Sequence, residues 1–156
     1  MGYDVNGFTD MYTLLSNERK IGGAIEASRI RLSTGEEFTY PVITNVDYSG
    51  STFYSLGFIT DNGEKYIVNI KDISMMAACR HCPIQELRND HYKKVKTDQR
   101  INYLKRLCEI NEGASTPIFE EEVHAIINDI GEDVIKNDKE LSHLQKQTNQ
   151  NRFRIA

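Results

Sequence analysis

The chain contains no run of eighteen apolar residues, so no segment reads as a membrane-spanning helix and no membrane role is expected. A basic-then-apolar leader is missing from its N-terminus, which points to a protein made and kept inside a cell, cytoplasmic or virion-associated. Cysteine is scarce. Three in 156 residues, an odd number, suit a reducing compartment better than a disulfide framework. Catalytic signatures are missing as well: there is no GxSxG, no P-loop, no GxGxxG, no HExxH and no EF-hand pattern. The four histidines, His81, His91, His124 and His143, are scattered. Glu120 and His124 would share a helix face, but a capping carboxylate beside a surface histidine accounts for that pair. No catalytic residue is assigned, and the sequence leans away from an enzyme.

What is present is ordinary for a globular chain: 39% apolar and 27% charged residues. The length suits one domain, or one small domain with a helical appendage. Isoleucine outnumbers leucine and alanine, and asparagine is frequent, as expected from an AT-rich bacterial or viral genome.

The chain is organised around residues 25–73, which read as four short strands separated by three turns. Ile25–Leu32 is followed by Ser33-Thr34-Gly35-Glu36, and Phe38–Val46 by Tyr48-Ser49-Gly50-Ser51. Thr52–Ile59, the turn Asp61-Asn62-Gly63-Glu64 and Tyr66–Ile73 complete the series. Asn62-Gly63 predicts a two-residue type I′ hairpin, which needs positive φ at both positions. Alternation places Phe38, Tyr40, Val42, Thr44 and Val46 on one face of the second strand. It places Thr52, Tyr54, Leu56 and Phe58 on one face of the third, opposite Phe53 and Ile59. Pro41 cannot donate to a ladder, so the second strand is expected to bend or lie at an edge there; Gly57 is expected to mark a bulge or tight bend. The fold class is therefore α+β: a small antiparallel β-meander or barrel over about residues 25–73, with a short N-terminal helix and a C-terminal helical region. Expected domains are an N-terminal helical arm over 1–23, the barrel over 24–78, a helical region over 79–148 and a polar tail over 149–156.

The run Ser51-Thr52-Phe53-Tyr54-Ser55-Leu56, the Asn62-Gly63 hairpin and Tyr66–Ile73 resemble small SH3-like or Sm-like barrels. They are also loosely similar to the sheet of WYL-type ligand-sensing domains, with Phe53-Tyr54 where those carry an aromatic pair. That likeness implies an aromatic-lined, small-molecule-sensing barrel. The basic ligand-binding residues of such domains have no counterpart here, and no family is assigned.

Outside the barrel, Thr9 or Asp10 is expected to cap a helix carrying Met11, Tyr12, Leu14 and Leu15, ended by Gly22-Gly23 and covering an open end of the sheet. Pro83 predicts a helix start, with Ile84, Leu87, His91 and Val95 at helical spacing. A second helix is expected from Thr97 or Asp98, with Ile101, Leu104, Leu107 and Cys108 inward and Gly113 beyond its end. The last helix has Thr116 as cap, Pro117 in the first position and Glu120, Glu121 and Glu122 in the first turn. Its apolar stripe of Phe119, Val123, Ile126, Ile127, Ile130, Val134, Leu141 and Leu144 packs on its own domain or on a partner helix. In the partner-helix reading, Asn137 is a register-fixing asparagine between Val123, Ile130 and Leu144, with Gly131 a kink or division.

The net charge of −4 is segregated. Residues 1–82 carry −3, residues 88–106 carry +5, residues 113–144 carry −6 and residues 145–156 carry +3. Arg88, Lys93, Lys94, Lys96, Arg100, Lys105 and Arg106, interleaved with Tyr92 and Tyr103, could neutralise phosphates and stack on bases of single-stranded nucleic acid. The alternative is a basic face paired with the chain's own acidic block. Cys79-x-x-Cys82 with His91 and Cys108 could supply four ligands to a structural zinc; inert buried thiols are the alternative, and no other cofactor is expected. The function expected first is a non-enzymatic interaction or structural subunit. It would dock on a protein partner or form a homo-oligomer in a larger assembly, viral or phage. A nucleic-acid-binding regulator comes second and a small-molecule sensor third.

Overall fold

The structure, a computed structural model, describes residues 2–111, 116–138 and 141. The chain divides into two compact units, 1–95 and 96–156.

The first unit is built on strands β1 (Tyr3–Asp4), β2 (Ala24–Glu26), β3 (Arg29–Leu32), β4 (Glu37–Thr39), β5 (Val42–Ser49), β6 (Thr52–Ile59), β7 (Lys65–Asn69), β8 (Ile73–Ala77) and β9 (Arg80–Cys82). They form two antiparallel sheets, a six-stranded one in the order β1-β9-β2-β5-β6-β7 and a three-stranded one in the order β4-β3-β8. Three long, bent strands pass from one sheet to the other. Their corners are Ala27-Ser28, Tyr40-Pro41 and Ala78-Cys79. Tyr40 and Ala78, each at φ 49°, take the left-handed conformation there without being glycine. Bonds across the corners hold them: Ala27 N donates to Pro41 O at 3.1 Å, and Tyr40 N donates to Ser28 O at 3.1 Å.

The expected α+β class and antiparallel meander hold, but the sheets do not close into a barrel. The predicted fourth strand, Tyr66–Ile73, stops at Asn69. The Asn69 side chain accepts from Lys71 N at 3.0 Å, and Ile70–Asp72 turn as a 3-10 helix that redirects the chain into β8. β7 and β8 consequently lie in different sheets. Residues 73–77 and 80–82, to which no strand was assigned beyond Ile73, are strands β8 and β9 of the two sheets. The expected strands 25–32 and 38–46 each break in two at a corner.

The turns also differ in detail. At Asn62-Gly63 only Gly63 has positive φ (90°), and Thr60 N donates to Glu64 O at 2.9 Å, so the loop between the bonded residues has three members rather than two. The two-residue loop is Gly50-Ser51 instead, closed by the Ser49–Thr52 pair. The simple alternation expected along β5 and β6 fails because the register shifts twice, leaving Thr44 and Tyr54 as extra residues. Gly57 does sit at such a bulge. It opposes Asn45, and a Cβ added there would collide with the Asn45 carboxamide.

Helix α1 (Phe8–Ser16) covers the sheet as expected, burying Met11 among Ile25, Ala27, Ile30, Ile43, Val46, Leu56 and Phe58. Gly7, not Thr9 or Asp10, stands at its cap position, while Asp10 accepts from Asn6 N at 3.0 Å. A short helix α2 (Glu18–Ile21) follows, ended by Gly22 at φ 63°. Past β9, Ile84–Glu86 make only a 3-10 turn. The two helices expected over 84–112 are a single one, α3 (Asp90–Ile110).

In the second unit, α4 (Pro117–Ile130) begins as predicted: Thr116 Oγ1 accepts from Phe119 N at 3.2 Å, with Pro117 at the first turn. Gly131, at φ 98°, ends it and separates α5 (Glu132–Asn137). Leu104, Val123, Ile126, Ile127, Ile130, Ile135 and Leu141 are buried. Among the described residues no helix is long and apolar enough to cross a membrane.

Candidate interaction surface

The side chains best suited to chemistry are held in structural roles. Glu26, at the end of β2, is buried and accepts three amide contacts: Arg88 N at 3.1 and 3.0 Å, and Asn89 N at 2.8 Å. Burial raises its carboxyl above the ordinary value; the two amides, Arg88 and Lys93 pull the other way. Asn89, fully buried, donates from Nδ2 to Tyr40 O (2.8 Å) and Ile59 O (3.1 Å), and its Oδ1 caps α3 by accepting from Tyr92 N (3.0 Å). This cluster ties the corner at Tyr40 and the end of β6 to the start of α3. His81 Nε2 bonds Gly22 O at 3.0 Å, with the ring against Tyr3 at a centroid distance of 5.2 Å. His91 packs its ring on Gly63.

Among the described residues no three of His, Cys, Asp and Glu stand close enough to hold a metal ion. Cys79 lies at the β8–β9 corner, Cys82 is buried on β9, and His91 sits on the Gly63 loop. Burial pushes the Cys79 thiol up to about 11, which opposes the thiolate form a metal needs. Cys108 belongs to the second unit, its thiol also raised by burial.

Most of the expected basic face lies along α3. Lys94, Tyr103 and Arg106 are exposed, and Arg88, just before the helix, lies over the Tyr40 ring at 5.8 Å. Two members are engaged within the second unit. Arg100 pairs with Asp129 at 3.5 Å and Lys105 with Asp138 at 3.2 Å, the first pair nearly buried. Lys93, Lys96 and Tyr92 are half-buried.

The residues expected to bind a partner helix are largely internal. Val123, Ile127, Ile130 and Leu141 are buried, Phe119 and Val134 half-buried, and Asn137 exposed on α5 beyond the break at Gly131. Division at Gly131 removes the continuous heptad in which Asn137 would fix a register. Leu144 lies outside the described residues.

Among the described residues, one surface that stands open is the outer face and free edge of β6–β7. Ile67 is 67% exposed and Tyr54 51%. The cross-strand partner of Ile67 is Gly57, which offers no side chain, so nothing on β6 stands directly opposite this isoleucine. Beside it the outer face carries a polar network: Asn45 Nδ2 donates to Asp47 Oδ2 at 3.1 Å and Ser55 Oγ donates to the same oxygen at 2.8 Å. Among the described residues β7 pairs only with β6. Sequence reasoning left this surface unread, because Tyr66, Val68 and Ile70 alternate with Ile67 and apolar residues fall on both faces. Glu26 and Asn89 carried no motif at all. Comparison with family models, curated proteins and solved structures finds no match for the chain.

Proposed function

We propose that the chain is a non-enzymatic interaction subunit. It docks on a protein partner, or on another copy of itself, through the outer face and free edge of β6–β7, within a larger assembly of viral or phage type. The observation that carries this reading is Ile67, 67% exposed on an edge strand opposite a glycine. Monomeric proteins seldom leave a large aliphatic side chain so placed on an uncovered strand. The structural engagement of Glu26, His81 and Asn89 supports a binding role over catalysis. The bent strands and short turns support an SH3-like or Sm-like scaffold left open on one side.

A photo-reactive phenylalanine analogue at position 54 or 67, irradiated with extract of the source organism, is expected to yield covalent protein adducts. The same analogue at exposed Ile118, on α4, is expected to yield none. Equal labelling at the three positions, or none at any, refutes the docking surface.

The nucleic-acid reading keeps its support in exposed Lys94, Arg106 and Tyr103, and loses some to the pairing of Arg100 and Lys105. It predicts salt-sensitive binding of labelled single strands that the triple change Lys93→Glu, Lys94→Glu, Lys96→Glu abolishes; binding unchanged in that variant removes it.

A further inference from the structure

The free edge of β7 has a pattern that fits one occupant, a second copy of the same edge. In an antiparallel ladder, pairs joined by hydrogen bonds alternate with pairs whose amides point away from the neighbour. Thr60 N donates to Glu64 O, so the phase is fixed at that pair. Two residues along each strand, Phe58–Tyr66 and Leu56–Val68 are then the bonded pairs, while Lys65, Ile67 and Asn69 turn their amides and carbonyls to the free side. Among the described residues no second strand pairs with this side of β7, although the Asn69 carbonyl accepts within the 3-10 turn that follows. β7 carries neither proline nor a bulge, the usual devices that blunt an edge, and its one charge, Lys65, is at the end of the strand.

We infer that two copies pair β7 against β7, antiparallel, about a two-fold axis at Ile67. This rests on the docking surface proposed above and names its partner. A register centred on Ile67 aligns all three outward residues of both strands: Ile67 opposes Ile67 of the second copy, and Lys65 opposes Asn69 in both directions. The isoleucine pair closes two backbone hydrogen bonds, and each Asn69 amide closes one more to the Lys65 carbonyl of the other copy. A register centred on Tyr66 or Val68 brings only two outward pairs together and sets Ile67 against Lys65 or Asn69, while an axis between two residues sets outward amides against inward ones. The side chains agree with the same axis. The two isoleucines meet where Gly57 leaves each without a side chain directly opposite on its own sheet, and no like charges face one another across the pairs. The interface is isologous and joins two six-stranded sheets into one continuous sheet of twelve strands.

The test is sedimentation velocity of the full chain from about 1 µM to about 1 mM, a range spanning weak to moderate self-association. It is read together with amide hydrogen exchange at the low and high ends. The wild type is expected to rise from monomer toward dimer mass, with slower exchange at Ile67 and Asn69 as concentration increases. Ile67→Lys places two charges at the axis and is expected to remain monomeric throughout, with an unchanged thermal melt at low concentration. Ile67→Thr, which keeps strand propensity while losing the apolar contact, is expected to shift the midpoint concentration upward about tenfold. Three results overturn the pairing: a wild type monomeric across the range, an Ile67→Lys chain that associates as the wild type does, or a dimer whose Ile67 and Asn69 amides exchange at the monomer rate. Adducts to a foreign protein at position 67, from a wild type that stays monomeric, sink the pairing and leave the docking surface standing. No adducts at all sink both.

Discussion

Replacing Asn89 by alanine is the sharpest probe of how the first unit is held together. The side chain is fully buried and makes three hydrogen bonds: to Tyr40 O, to Ile59 O and from Tyr92 N. Loss of the helix cap costs about 1 kcal/mol. Each carbonyl left without its buried donor costs about 1 kcal/mol or more. The sum is about 3 kcal/mol, a large part of the 5–15 kcal/mol that holds a typical domain together. In equilibrium urea unfolding followed by far-UV circular dichroism, a slope of about 2 kcal/mol per molar turns that into a midpoint lower by about 1.5 M, with the slope unchanged. Asn89→Asp separates the contributions. It keeps the oxygen that caps α3 but turns a second oxygen toward two carbonyls and adds a negative charge beside Glu26. At pH 7 it is therefore expected to destabilise at least as much as alanine, and less once the pH falls below the usual carboxylate range. A loss under about 1 kcal/mol for Asn89→Ala, or an aspartate variant as stable as wild type at pH 7, refutes the account of this cluster.

Three further outcomes follow from the same geometry. Glu26 has its carboxyl raised above 4.5 by burial, so its contribution to stability is fully present below about pH 4.5 and is lost as the pH rises through the raised value. The stability deficit of Glu26→Gln relative to wild type is thus expected to be larger at pH 4 than at pH 7, in urea melts at the two values; a deficit that grows with pH contradicts it. Gly57→Ala is expected to cost about 1–3 kcal/mol by collision with the Asn45 carboxamide, and Asn45→Ala in the same chain to recover part of that loss. Strict additivity of the two changes in a double-mutant cycle counts against the collision. Burial raises the Cys79 thiol from 9.0 to about 11, so at pH 8 its thiolate is about a hundredfold scarcer than that of a cysteine titrating at 9.0. Alkylation by iodoacetamide, mapped by mass spectrometry on the native protein, is expected to be slower by at least that factor; labelling within tenfold of an unfolded control refutes it.

The parts of the fold legible beforehand are those fixed by residues close in sequence. Thr116 and Pro117 start α4, Gly131 ends it, Gly22 ends α2, Pro41 marks a corner and Gly57 marks a bulge. Each works through its own φ, its missing amide or its missing side chain, and so needs no knowledge of the rest of the chain. The charge blocks were legible too, and for Arg100 with Asp129 and Lys105 with Asp138 the basic and acidic blocks do pair.

Tertiary structure alone decided the rest. Periodicity gives β7 two apolar faces, and nothing local says that the partner of Ile67 is a glycine, which is what leaves that side chain uncovered. The left-handed turns at Tyr40 and Ala78 oppose local preference, and at Tyr40 the bonds to Ser28 and Asn89, distant in sequence, hold the conformation. Glu26 and Asn89 look like any acidic and amide residue until the fold sets them 63 positions apart at 2.8 Å. The 3-10 turn at Ile70–Asp72 keeps β7 and β8 in separate sheets. Local chemistry chose the turns and caps, whereas burial and cross-strand register, both properties of the assembled chain, chose which residues face the solvent.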